Sequence, residues 1–203
     1  MGGFRFCGAV LAVVLCVAHF GQEAGAGPGV PPPERFDGIF ANHGGALPSL
    51  QAKFCSFRVE EWSSEEEILN LAKALARGGL SGARDFLWSL KPKATFYLGN
   101  SPSVYFQVVF SAPLQDGSRG IWAITGDQLG FLSTGDARAK RYPFGAIQIR
   151  LNQDGKGEGD MIGAAALEIN PAGSLEIKSY GTPPFRLLDL VAKPYKPKRA
   201  AAR

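Results

Sequence analysis

Histidine, cysteine and methionine are scarce. The 203 residues include two His, three Cys and two Met, which leaves little from which to build a His-rich or Cys-rich metal site. Phosphate-binding loops are missing as well. There is no G-x-x-x-x-G-K-[ST], and no G-x-G-x-x-G that opens a helix. Gly155, Gly157 and Gly159 alternate, but they lead into a strand-like run. Nothing indicates a nucleotide or any other cofactor. Self-similarity at solenoid or propeller periods is absent too. Beyond residue 26 no apolar run approaches the roughly 20 residues of a membrane-spanning helix. Wholesale disorder is excluded in turn, because 45% of the residues are apolar.

Residues 1–26 read as a secretory signal. Arg5 supplies a positive start, Cys7 to Phe20 an apolar run, and Ala24-Gly25-Ala26 a small-residue cleavage site. Cleavage would leave 177 residues with Cys55 as the remaining cysteine, so no intrachain disulfide is expected and the core must supply the stability. Cys55 alternates with Phe57 and Val59 and reads as a small buried hydrophobe. Residues 27–50 carry Gly and three consecutive prolines, Pro31-Pro32-Pro33, and are expected to be an extended lead-in. Phe36, Ile39 and Phe40 are candidates to tack part of it onto the domain.

Residues 51–192 are expected to form a single α+β domain. It begins with a strand at 53–61. A helix follows, announced by a capping box of Ser63 with Glu66 or Ser64 with Glu67. Ile68, Ala72 and Leu75 recur at helical spacing, with Leu71 and Ala76 beside them, and Gly78-Gly79 marks a stop. A second short helix runs from about Ser81 to Leu90, before Pro92. Strand-like runs then follow at 94–98, 103–111, 119–125, 144–152, 157–169, 174–180 and 185–192. No helical pattern separates them. The expectation is an antiparallel meander of about seven strands, forming a strongly curved sheet or a partly closed barrel. Val104, Phe106, Val108 and Phe110 would share one face. Asp154-Gly155 is expected to be a two-residue hairpin turn. Gly159 and Gly163 are candidates for a bend or a bulge. Ile121 and Ala123 alternate with Trp122 and Ile124, so that strand should be covered on both faces. The tail 193–203 holds five basic and no acidic residues and is expected to be disordered.

The segment Tyr142-Pro143-Phe144, then Ile147 and Ile149, then Asp154-Gly155-Lys156-Gly157-Glu158-Gly159, resembles a group of exported bacterial proteins of uncharacterised function. The resemblance covers about residues 53–192. It implies secretion to the periplasm or beyond and a β-rich fold, and it carries over no catalytic residue.

Chemistry-bearing patterns are thin. Asn152 to Asp160 superficially matches a calcium loop, but Lys156 stands where a ligand oxygen belongs and the closing Glu is missing. His43, in Asn42-His43-Gly44-Gly45, would need a nucleophile elbow; Gly79-Leu80-Ser81-Gly82-Ala83 lacks the final Gly and follows a helix. Glu158 and Asp160 on one strand face, with Glu168 farther along and Glu176 on the next strand, are the raw material of a glycoside hydrolase. Solvated surface charge explains them equally. Phe96, Phe106, Phe110, Trp122 and Phe131 are candidates to line an apolar ligand cavity, or to fill a dry core. Together these readings favour a non-catalytic exported binding domain for a small apolar ligand or an envelope protein partner. An envelope hydrolase and a purely structural protein are the alternatives. Residues 27–192 carry 16 basic and 17 acidic side chains. Contact with a polyanion is therefore expected through the basic tail rather than the fold, and no nucleic-acid partner is expected.

Overall fold

The computed structural model describes residues 31–41, 52–129, 141–171, 175–179 and 184–197. Residues 1–26, expected to be a secretory signal, together with His43, Phe131 and the tail from residue 198, lie outside the described residues.

Among the described residues there are ten strands and one helical element: β1 (Glu34–Ala41), β2 (Ala52–Val59), α1 (Glu65–Ser89), β3 (Ala94–Leu98), β4 (Val104–Phe106), β5 (Val108–Pro113), β6 (Arg119–Thr125), β7 (Phe144–Leu151), β8 (Lys156–Ile169), β9 (Leu175–Ser179) and β10 (Phe185–Pro194). The α+β, antiparallel architecture is as the sequence implies. The details differ. Two strands precede the helix, because β1 lies inside the expected lead-in. Its Phe36 and Phe40 are fully buried, and that burial holds the segment in the sheet despite the prolines before it. At the other end, β10 carries Lys193 and Pro194 beyond the expected limit, paired with Arg35 and Glu34 of β1.

The sheet order is β4-β3-β2-β1-β10-β8-β7-β6-β5, with β9 attached to β8. β4 and β5 stand at opposite ends of this order, yet Gln107 alone separates them in the chain. One bent run thus joins the two edges into a nearly closed barrel. Gln107 N–H donates to the Ile124 carbonyl at 3.1 Å. The bend resets the side-chain alternation. Phe106 and Val109 belong to the interior cluster, whereas Val108 and Phe110 pack outside. The single shared face expected for Val104, Phe106, Val108 and Phe110 is therefore split at Gln107.

Strong curling between β7 and β8 depends on glycine. Gly157 and Gly159 pair with Leu151 and Ile149, both part of the interior cluster. A Cβ at Gly157 would lie 1.8 Å from the Arg150 carbonyl oxygen, and one at Gly159 2.4 Å from that of Gln148. Only glycine admits that approach of two backbones. The register shifts between Phe144 and Ala146 of β7, opposite Ile162 to Ala165, which places Gly163 in a bulge. Beyond it β8 leaves β10 and pairs with β9.

The hairpin at Asn152–Lys156 corrects the expected two-residue turn. Asn152 N–H donates to the Lys156 carbonyl at 2.8 Å, and Gly155 N–H donates to Asn152 at 3.1 Å. Gly155 has φ 73°, while Asp154 is not left-handed. The loop is thus three residues long with glycine at its left-handed position, a common hairpin type. Asn152 Oδ1 accepts from the N–H groups of Asp154 and Lys156, at 3.0 and 2.9 Å. The oxygen the calcium reading needed is therefore spent on the turn.

The two expected helices are one element, α1, broken at Gly79 with φ 61° and ψ −154°. The N-terminus uses the Ser64–Glu67 capping box. Glu67 N–H donates to Ser64 Oγ at 3.2 Å and Ser64 N–H to Glu67 Oε2 at 2.8 Å, which contributes about 1 kcal/mol. The helix packs Leu71, Leu75 and Leu87 on Trp122, Ile124, Phe144 and Leu167. Ile121 and Ala123 face the barrel interior. The two-sided coverage of β6 is thus met by the barrel core on one face and α1 on the other.

Candidate functional site

Of the five expected ligand-lining aromatics, the four that are described lie on two sides of the sheet. Phe96 and Phe106 lie in the barrel interior with Phe36, Phe40 and Phe57. Phe57 meets Phe106 edge-on at 5.7 Å between ring centroids and stacks on Phe36 at 5.9 Å. These rings pack on one another in the interior. Phe110 and Trp122 stack at 5.3 Å on the opposite side of the sheet, under α1. Phe131 lies outside the described residues.

One end of the barrel is held by an inward ion pair that the sequence reading missed. Arg119 alternates with Ile121 and Ala123 and so points inward. It donates to Glu34 Oε1 at 3.0 Å, with a second nitrogen 2.9 Å from Oε2. Its guanidinium also lies 5.2 Å from the centroid of the Trp62 ring. The signal was a charged residue at an inward position of an apolar strand.

The carboxylates weighed for hydrolysis are already occupied. Arg186 bridges Glu158 at 2.7 Å and Asp160 at 2.9 Å. Burial lifts the Asp160 carboxyl above its ordinary pKa, with Glu158 adding to the rise and Arg186 opposing it. Glu168 pairs with Lys178, and Asn170 donates to Glu176 at 2.9 Å. The Arg186 and Lys178 contacts are ion pairs between neighbouring strands, and Glu168 and Glu176, opposite one another on β8 and β9, are each held by a neighbour. Among the described residues, no three His, Cys, Asp or Glu side chains come together as a metal site would require.

A cleft of about 510 Å³ opens where α1 breaks. Leu75, Ala76, Gly79 and Leu80 of the helix form one wall, and Ala166 to Ile169 of β8 form the other. Arg141 and Tyr142 complete the rim. The left-handed Gly79 is what creates the opening, because a continuous helix would carry its apolar stripe straight along β8. The floor is aliphatic. At the rim Glu168 is neutralised by Lys178, while Arg141 is solvent-exposed. Such an arrangement accepts an apolar body and offers a cation to its polar end. The Gly78-Gly79 pair was visible in the sequence as a stop. That it opens a cleft depends on residues some 90 positions away in β8.

Comparison of the chain with protein families, with curated proteins and with solved structures finds no match in any of the three. Among the described residues no helix is long and apolar enough to cross a membrane.

Proposed function

We propose that this chain is an exported, non-catalytic binding protein of the bacterial envelope, and that it takes up a small amphipathic ligand in the cleft at the helix break. Export rests on the signal-like residues 1–26, and the bacterial envelope on the resemblance to exported bacterial proteins. The observation that carries the binding reading is the aliphatic cleft with Arg141 at its rim. The occupied carboxylates support a binder over a hydrolase. The ligand that fits is a short aliphatic chain ending in a carboxylate, with the chain on Leu75, Leu80 and Leu167 and the head on Arg141.

Isothermal titration with dodecanoate and dodecanol tests this. Arg141→Gln is expected to weaken dodecanoate roughly tenfold, the usual worth of a charge-assisted hydrogen bond, and to leave dodecanol unchanged. Ala76→Trp, at an exposed wall position, is expected to abolish both. Retention of full affinity in Ala76→Trp would rule the cleft out.

A further inference from the structure

The helix covers only part of the barrel's outside, packing on strands β5 to β9. Among the described residues, the helix does not pack on the outer face of β10-β1-β2-β3-β4, and the ring of Tyr195 reaches over it beside Arg58. Strand pairing sets out what this face carries. One row runs Lys193, Arg35, Arg58, Thr95, Tyr105, and the next runs Val191, Asp37, Ser56, Tyr97. Phe54 lies one step further along β2. Phe54 is 60% exposed and Tyr105 53%, both unusual for large rings on a sheet. By contrast Ser56 and Thr95, on the same face, are buried, so rings and cations are what solvent meets.

The charges on this face are unequal in their partners. Asp37 lies 3.1 Å from Arg35 and 3.2 Å from Lys193, so both of those cations share one carboxylate. Arg58 is half-buried and forms no ion pair among the described residues; its Nε is buried without a hydrogen-bond partner, which leaves the terminal guanidinium nitrogens to meet a ligand. Instead its guanidinium sits 4.3 Å from the Tyr97 ring centroid and 5.9 Å from that of Tyr195. Tyr195 is itself tied to the sheet, its N–H donating to the Pro33 carbonyl at 3.0 Å. The face therefore presents a preorganised guanidinium between rings, with further exposed rings on either side.

We propose that this face binds an acidic polysaccharide, with a uronate carboxylate on Arg58 and sugar rings lying on the exposed aromatics. A guanidinium fork matches a carboxylate in a bidentate manner. Aromatic rings offer broad apolar faces at low entropic cost. Five strands give a platform about 19 Å wide, enough for a chain rather than one sugar. The charge pattern favours this occupant over nucleic acid. A phosphate backbone is gripped by a track of several free cations, whereas this face leaves one cation unpaired.

Affinity electrophoresis of the full chain in gels containing polygalacturonate, dextran or oligothymidylate tests the proposal. Retardation is expected in polygalacturonate and not in dextran. Arg58→Gln should weaken it roughly tenfold, by loss of the charge-assisted contact. Tyr105→Ala, which removes a ring already half in solvent and so spares the fold, should weaken it severalfold. A Lys198→Gln, Arg199→Gln, Arg203→Gln variant should bind as the parent does. The proposal is overturned by absence of retardation, by unchanged binding in Arg58→Gln, by loss of binding in the tail variant, or by oligothymidylate retarding the chain as strongly as polygalacturonate. The cleft variants Ala76→Trp and Arg141→Gln should leave this binding intact, which separates the two sites.

Discussion

Cys55 shows how much burial alone decides for a single side chain. It is 1% exposed in the barrel interior. Burial, reinforced by the negative charge of Asp37, pushes its thiol up to about 12. Almost no thiolate exists at neutral pH, and the thiolate is the reactive form. In a Cys7→Ser, Cys16→Ser variant, an aromatic disulfide reagent at pH 8 should label Cys55 only after denaturation. Labelling of the folded protein within minutes would contradict the placement. This residue was legible in the sequence, since alternation with Phe57 and Val59 put it on the buried face.

Lys93 was not legible, because a lone lysine between helix and strand carries no local signal. Its side chain is 8% exposed and pairs with Glu61 and, at 3.2 Å, with Glu67. Burial by itself would lower its pKa, but hydrogen bonds and charge from Glu61 and Glu67 outweigh that and hold it above the ordinary lysine value. A raised folded pKa stabilises the fold fully below the unfolded value of about 10.4, and that contribution is lost as pH rises through the folded pKa. Lys93→Met should cost about 1–2 kcal/mol at pH 8. Urea unfolding at pH 8 and pH 11 should show a smaller alkaline loss in the variant than in the parent. An equal loss in both would contradict the role.

At the scale of elements, the agreement and the misses share one cause. Strands β3 and β6 fall on the expected residues, because each is bounded by turn residues and rich in branched and aromatic side chains. β1 was hidden by the prolines and glycines around it, although Phe36 and Phe40 alternate correctly. The break at Gln107 has no local signature, since only closure of the barrel requires it. Glycine in β8 is the reverse case, a visible signal whose use appears only in three dimensions. Gly157→Ala would drive a methyl group into the β7 backbone and should cost more than about 2 kcal/mol, measured as a lowered urea midpoint. A change within experimental error would mean that β7 and β8 do not approach as described.

At the scale of the molecule, the barrel has two outer halves with different coverings. One half lies under α1 and opens into the cleft at Gly79. The other, among the described residues, is not covered by the helix and carries rings around Arg58. The alternation in β6 called for cover on both faces, by a helix or by a partner outside the barrel. It did not show the cleft, because the walls at 75–80 and 166–169 meet only when β8 leaves the barrel to pair with β9. Nor did it separate Phe96 and Phe106 from Phe110 and Trp122, because period-two alternation says which residues share a face only while the strand is unbroken.

The most direct test of the central claim, that ligand binds in the cleft and not in the barrel interior, is an NMR titration of the labelled chain with dodecanoate. Amide shifts should move at Leu75 to Leu80 and Ala166 to Ile169, while those of Phe57, Phe96 and Phe106 stay in place. Shifts concentrated at the interior phenylalanines, or none at saturating dodecanoate, would contradict it.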